Sequence, residues 1–291
     1  MTTNSSKPSR KTNRRVRVTV LVENTAQGTG LLAEHGLALW VDWNGHKVLF
    51  DTGQGFVLTG NAHKLGASLG ETDTIVLSHG HYDHTGGLAD TLIRCEADVY
   101  LHPAALKPKF ACNKLGITRD IGIPFPAKKI LQEQDRNVVK TESPTHIYEG
   151  LTVTGAIPRV TDFEDTGGPF FLDAACSKPD PINDDQSMFF EAKQGIVVVL
   201  GCAHSGIINI LRYINQLTGG KPIHAVLGGL HLVQASPERI SRTIDELKHF
   251  NLGLLAPAHC TGLVAAAALR QAFPNHYIDC HVGSRFQFDL P

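Results

Sequence analysis

The chain has no surplus of either charge, no long apolar run, and very little methionine or tryptophan. Its 291 residues carry 27 Lys+Arg against 28 Asp+Glu, a formal net charge of -1. That balance argues against a general nucleic-acid binder or a protein of the membrane surface, since both draw on an excess of Lys and Arg. No stretch approaches the roughly 18 to 20 apolar residues of a membrane span. Six cysteines, at 95, 112, 176, 202, 260 and 280, include no CxxC pair and no dense framework. They read as reduced thiols of a cytoplasmic protein, most of them buried as small apolar residues. Residues 1–15 hold Lys7, Arg10, Lys11, Arg14 and Arg15 with no apolar core behind them, so no signal-peptide pattern is present. A solvated, partly disordered tail is expected there, with a basic arm for anionic partners as the sharper alternative. Hydrophobic residues make up 42% and charged residues 19%, enough to bury a sizeable core. Against two methionines and two tryptophans stand 15 histidines, an excess that fits metal chemistry.

Residues 75–88, IVLSHGHYDHTGGL, hold three histidines and an aspartate within six positions: His79, His81, Asp83 and His84. Each offers a lone pair to a borderline divalent cation, and the segment is too short to spread them apart. Thr74 to Leu77 is a short apolar β-type run, and Gly80, Gly86 and Gly87 let the backbone turn sharply behind it. The potential ligands therefore sit where a buried strand empties into a loop. The bland alternative is a surface loop rich in His and Asp.

The string His79-Gly80-His81-Tyr82-Asp83-His84 resembles the HxHxDH signature of the metallo-β-lactamase superfamily. Further runs extend the likeness over roughly residues 16 to 285: Leu49-Phe50-Asp51-Thr52-Gly53, Gly201-Cys202-Ala203-His204-Ser205-Gly206, Gly228-Gly229-Leu230-His231-Leu232 and Pro257-Ala258-His259-Cys260-Thr261-Gly262. Together they resemble the subgroup named for the methanogen dihydropterin-(ribofuranosyl)aminobenzene-phosphate synthase, whose other members are mostly known only as metal-dependent hydrolases. The resemblance implies that His79 and His81 bind one metal, and that Asp83 and His84 bind a second. It also implies two further histidines and, where two metals are held, a bridging acid. His204 and His259, each following an apolar strand, are the candidates for the histidines. His231 lies in a similar place and is a ligand or, more credibly, a pocket histidine donating to a substrate oxygen. Asp51 closes a hydrophobic strand and is either a loop cap or, as the likeness implies, an acid that orients a ligating histidine. The chain departs from the superfamily pattern where Gly-Asp is common and Gly201-Cys202 stands instead. A Cys202 thiolate, Asp184 or Asp185, or only a hydroxide could then form the bridge.

Val16 to Glu23 alternates as a first strand, and Leu37–Asp42 and Lys47–Asp51 form a hairpin about Asn44-Gly45. Phe56–Leu69 reads as a helix ending at Gly70, and Ser236–Phe250 as an amphipathic helix with a Ser-Pro start. In the second half, strand, histidine and helix recur three times. This is the sequence pattern of an α/β protein built as an αββα four-layer sandwich, two mixed sheets flanked by helices. One domain over 16–291 is expected, with an insertion at about 107–139. That insertion is a charged excursion or a lid whose Lys107, Lys109 and Arg119 meet an anionic substrate. His276–Val282 and Phe286–Phe288 are expected to close the sheet.

Two divalent ions, zinc first with manganese or iron also admitted, would generate a hydroxide and polarise an ester oxygen. Asp83 would serve both as ligand and as base or orienter for the water, and His231 as donor to the leaving oxygen. The expected activity is hydrolysis of a phosphate ester, phosphodiester or other small anionic substrate. The alternative is a transferase that forms a carbon–nitrogen bond on a pterin pyrophosphate, with Phe110, Phe125, Phe163 and Phe170 as candidate walls for a flat ring. A di-iron redox centre and a non-catalytic metal- or ligand-binding protein are weaker readings. A homodimer would suit an enzyme of this size.

Overall fold

The computed structural model describes residues 15–113, 115–132 and 137–291. The chain runs β1 (Arg15–Val22), β2 (Ala38–Trp43), β3 (His46–Phe50), α1 (Leu58–Leu65), β4 (Thr74–Val76), α2 (Tyr82–Thr85), α3 (Leu88–Arg94) and β5 (Asp98–Leu101). It continues through β6 (Phe110–Cys112), β7 (Thr118–Asp120), α4 (Phe125–Leu131), β8 (Val138–Lys140), β9 (Thr145–Tyr148), β10 (Leu151–Val153) and β11 (Phe170–Phe171). The last part comprises β12 (Met188–Ala192), β13 (Gly195–Val199), α5 (Ile207–Leu217), β14 (Ile223–Gly229), α6 (Pro237–Lys248), β15 (Leu254–Ala258), α7 (Leu263–Ala272) and β16 (Arg285–Asp289).

Among the described residues the strands form a sheet ordered β16-β1-β2-β3-β4-β5-β8, a second ordered β15-β14-β13-β12-β10-β9, and a small one ordered β11-β6-β7. The alternation read in β1 sorts its side chains: Val16, Val18 and Val20 face one apolar layer, while Leu21 and Val22 face another. That first layer also holds Val153, Phe190, Val199 and Leu227 of the second sheet, so the two large sheets pack face to face. A second apolar layer joins the first sheet to α1, α3 and α4 through Leu58, Leu88, Leu92 and Ala127. A third joins the second sheet to α5, α6 and α7 through Ile210, Ile214, Leu247 and Leu269. Three apolar interfaces between four layers make the αββα sandwich read from the sequence. No helix among the described residues is long and apolar enough to cross a membrane.

Several boundaries differ from the sequence reading. The first helix stops at Leu65 because Gly66 takes the left-handed conformation, φ 77°, and ends it; Leu69–Glu71 is a separate short 3-10 turn. The expected tail lies outside the described residues apart from Arg15, which already pairs with Asp289 in the sheet. Within 107–139, α4 buries Ala127 and Leu131 in the outer helical layer, and β6 pairs on one side with β7 and on the other with the distant β11. β8 then returns to the first sheet beside β5. Near the C-terminus, 276–282 makes only isolated bridges, and Arg285–Asp289 closes the sheet against β1.

Both large sheets contain a parallel portion: β3 with β4, and β13 with β14 and β15. Polar residues follow the carboxyl ends of these strands, the usual place for a site in sheets of this kind. Phe190 is 1% exposed between the sheets, in edge contact with Trp43 and Phe288. Phe190→Ala is expected to lower stability by about 3–5 kcal/mol in urea unfolding. Leu263→Ala, at a residue 87% exposed, is expected to stay within about 0.5 kcal/mol.

Candidate functional site

Strands from both large sheets deliver side chains to one cleft: β3 leads to Asp51, β4 to His79, β13 to Cys202 and His204, β14 to His231 and β15 to His259. Four residues at these exits, Asp51, Ala203, His231 and His259, hold φ of 60°, 59°, 46° and 51°. That region is costly for side chains other than glycine. Asp51 and His259 turn the chain directly after β3 and β15, and Ala203 and His231 do so a few residues beyond β13 and β14.

One ring nitrogen each of His79, His81 and His204 lie within 4.8 Å of one another, and all three residues are buried. His79 Nε2 is 2.9 Å from His81 Nδ1, while His81 Nε2 and His204 Nε2 are buried without a partner. Burial, with the neighbouring imidazoles, drives the pKa values of His79 and His204 well below the usual 6.5. Burial does the same to His81 against the pull of Asp83. Three neutral imidazoles gathered in a buried pocket are a donor set for a divalent cation.

A second group abuts the first. Asp83 Oδ2 lies 3.2 Å from His259 Nε2, and His84 Nε2 lies 3.2 Å from the same nitrogen and 3.9 Å from Asp83 Oδ2. Burial alone would raise Asp83, yet His84, His259 and His35 hold its carboxyl well below its usual range. For His84, burial works downward and is outweighed by Asp51 and Asp83, which carry it up to about 9. Cys202 Sγ is 3.0 Å from His84 Nε2 and groups with His79 and His84, so it touches both sets. Burial and the adjacent Cys260 thiol push Cys202 well above the ordinary thiol range.

The loops are held by buried carboxylates. Asp51 accepts from Ser78 N at 2.7 Å, Ser78 Oγ at 2.6 Å and His84 Nδ1 at 2.7 Å. It thus orients a histidine of the second group. Asp184 and Asp185, weighed as bridging acids, are committed elsewhere: Asp184 Oδ2 accepts from Gly80 N, and Asp185 Oδ2 from Ser205 N, both at 2.7 Å. Burial raises Asp185 to about 6. Lys109, expected to meet substrate, is 1% exposed and donates to Asp180 at 2.9 Å and Asp184 at 2.7 Å. Its charge is neutralised inside the fold, and through Asp184 it fixes the loop between His79 and His81. Lys107 is exposed. Arg119 is exposed too, stacked on Tyr82 and donating to its hydroxyl at 2.7 Å.

His231 stacks near His204, ring centroids 4.1 Å apart, and its Nδ1 is buried without a partner. Phe170 covers the first group, with centroids 5.0 Å from His81 and 5.3 Å from His204. Of the other three phenylalanines considered for a ring-binding wall, Phe125 is 78% exposed, Phe163 lies under Arg242 and Phe110 pairs with Phe171 in the small sheet. Sequence reasoning missed His35, whose Nε2 is 3.2 Å from Asp83 Oδ2; a single histidine in a polar loop carries no signal. It also missed Glu23 and Asn24, which bind His259 N at 2.7 Å and His259 Nδ1 at 2.8 Å. Their signal was available: polar residues at a strand exit, the same pattern that exposed Asp51.

Lys109→Met leaves two carboxylates buried without their cation and is expected to cost about 3–5 kcal/mol in urea unfolding, with Lys107→Met near neutral. The histidines also set a pH signature. His79, His81 and His204 take up protons below 6.5 more readily in the unfolded chain, so metal-free protein loses stability as the pH falls below that value. His84 contributes stability that is complete below 6.5 and is lost as the pH rises through about 9. Denaturant titrations of chelated protein should show a maximum between these limbs, and His84→Asn should flatten the alkaline one.

The family model described as the metallo-beta-lactamase superfamily matches residues 33–167. The uncharacterized protein MJ0448 of Methanocaldococcus jannaschii is 35% identical over 269 residues, covering 91% of this chain and 98% of the relative. The 7,8-dihydropterin-6-methyl-4-(beta-D-ribofuranosyl)-aminobenzene-5'-phosphate synthase of the same organism is 29% identical over 271 residues, covering 88% and 90%. The crystal structure of Tm1679, described as a metal-dependent hydrolase of the beta-lactamase superfamily, superposes with a TM-score of 0.81 at 29% identity over 94% of this chain and 99% of that one. Sequence, fold and the convergence of histidines at the strand exits agree, and the chain belongs to the metallo-beta-lactamase superfamily.

Proposed function

We propose that the chain is a metal-dependent hydrolase of a small anionic ester, a phosphate ester or phosphodiester. The observation that carries this reading is the pair of abutting donor groups, His79/His81/His204 and Asp83/His84/His259, with Cys202 in reach of both. The donor set fits one or two divalent ions, because the Nε2 atoms of His81 and His204 are buried with no hydrogen-bond partner among the protein's own groups. Imidazole with a thiol suits zinc or iron better than magnesium.

Bound cations supply Lewis acidity toward an ester oxygen and acidify water. The chain's own groups do the rest. Asp83, kept ionised by the histidines around it, can accept a proton from an attacking water. His35 touches the same carboxylate with a side chain 55% exposed, which gives that proton a path to solvent. His231 presents a ring nitrogen without a protein partner and is the proposed donor to a leaving oxygen. Phe170 shields the first group from water. Arg119, beside the metal loop through Tyr82, offers the anion a guanidinium at the rim.

A second reading is supported by the synthase relative and by the placement of Phe170. In it, the same cations hold a leaving diphosphate while a flat pterin ring lies against that phenylalanine. Product analysis separates the two: ester hydrolysis consumes water, whereas the synthase reaction releases diphosphate only when an arylamine acceptor is present.

Metal-reconstituted protein is expected to hydrolyse bis(p-nitrophenyl) phosphate, and His81→Ala and His204→Ala to lower kcat/KM by about a hundredfold or more while reducing bound metal. Turnover that is insensitive to both substitutions would sink the hydrolase reading. Arg119→Ala is expected to raise KM about tenfold with kcat nearly unchanged, the loss of one charge-assisted contact.

A further inference from the structure

Cys112 and Cys176 stand together outside the histidine-lined cleft. Cys112 ends β6, in register with Thr118 of β7, and Thr118 Oγ1 lies 3.4 Å from Cys176 Sγ. Thr118 thus brings the two cysteines into one neighbourhood, and each is free and only half-buried. Cys176 reaches this position through a strained backbone, φ 54°, a conformation uncommon for a residue with a side chain. Its turn is fastened by Asp173, whose carbonyl accepts from Cys176 N at 3.1 Å and whose carboxylate accepts from Ser177 N at 2.8 Å and Ser177 Oγ at 2.7 Å. The other thiols differ: Cys95, Cys202 and Cys260 are buried. Burial also pushes the Cys280 thiol far above its usual range.

We propose that Cys112 and Cys176 form a reversible oxidation site, joined in an intramolecular disulfide by exchange with a low-molecular-weight disulfide. One protein sulfur, as thiolate, attacks the small disulfide and displaces one small thiol. The second protein sulfur then attacks the mixed disulfide at the protein-bound sulfur and displaces the other. Two protein S–H bonds become one S–S bond, and the small disulfide is reduced to two thiols, with no further reactant needed. An accessible pair of neighbouring thiols is the arrangement this exchange requires, and exposed disulfides of this kind are the labile ones.

The linkage would tie β6 to the turn that follows β11. β11 begins with Phe170, which covers His81 and His204. The bond would therefore fasten one wall of the cleft.

The test uses the full chain, purified reduced and then incubated with oxidised glutathione. Free thiols are blocked with iodoacetamide and the digest is analysed by mass spectrometry. The expected result is a cross-linked peptide pair carrying Cys112 and Cys176, lighter by two hydrogens than the separate peptides and released by dithiothreitol. Cys112→Ser is expected to halt at a mixed disulfide of Cys176 with glutathione, with bound metal unchanged. Recovery of both cysteines alkylated, of separate glutathione adducts on each in the unsubstituted chain, or of either joined to a different cysteine would overturn the proposal.

Discussion

The cleft depends on buried carboxylates that accept backbone N–H groups across chain segments distant in sequence. Asp51 ties the exit of β3 to that of β4 through Ser78, Asp184 reaches Gly80 between His79 and His81, and Asp185 reaches Ser205 beside His204. Glu23, at the end of β1, crosses to the other large sheet and accepts from His259 N. Taking such groups out of water costs several kcal/mol each unless charge-assisted hydrogen bonds offset it. Here every one of these acids has such partners. They satisfy loop amides that no strand ladder reaches, and so fix the spacing of the histidines.

Close approach of the two sheets' exits imposes a second constraint. A side chain at Gly201 would meet Ser78 Oγ and the Asp51 carboxylate, and one at Gly167 would enter the His231 ring. At Gly201 glycine is required by its neighbours rather than by turn type, whereas at Gly167 the neighbouring ring and a φ of 81° both require it. The absence of a Cβ brings the second sheet's exit against the Asp51–Ser78 pair, which holds His79 and His84 in turn. Removing the space would move donors by more than a coordination sphere tolerates, since a site of this kind needs placement within about 0.5 Å.

Much of this arrangement was legible because it is local. Three histidines and an aspartate in one short loop, and polar residues directly after apolar strands, are visible without knowing which strands meet. The layers followed from alternation in β1 and from the helical spacing of the segment that becomes α6. What stayed hidden depends on contacts distant in sequence. Lys109 reads as a surface cation in a basic stretch, and only Asp180 and Asp184, brought beside it by the loop before β12, turn it into a buried tie. His35 becomes part of the cleft only because the loop after β1 folds over Asp83. The excursion at 107–139 had no periodicity to read because its strand partner, β11, lies beyond β9 and β10 in the chain. Its side chains answer to that distant neighbour rather than to their own sequence.

Under the proposed reading, Cys202 changes the logic of the shared position. A carboxylate there could give one oxygen to each cation and would be ionised already. A thiol has a single sulfur, and burial holds its proton in place, so a cation must displace that proton as it binds. Loading then releases a proton from Cys202 and another from His84, which the Asp51 carboxylate otherwise keeps charged. The first histidine group carries no such burden, because burial keeps its imidazoles neutral. The two halves of the centre should therefore differ in affinity. The first half is poised for a cation at neutral pH, and the second becomes available as rising pH removes the protons that compete for it.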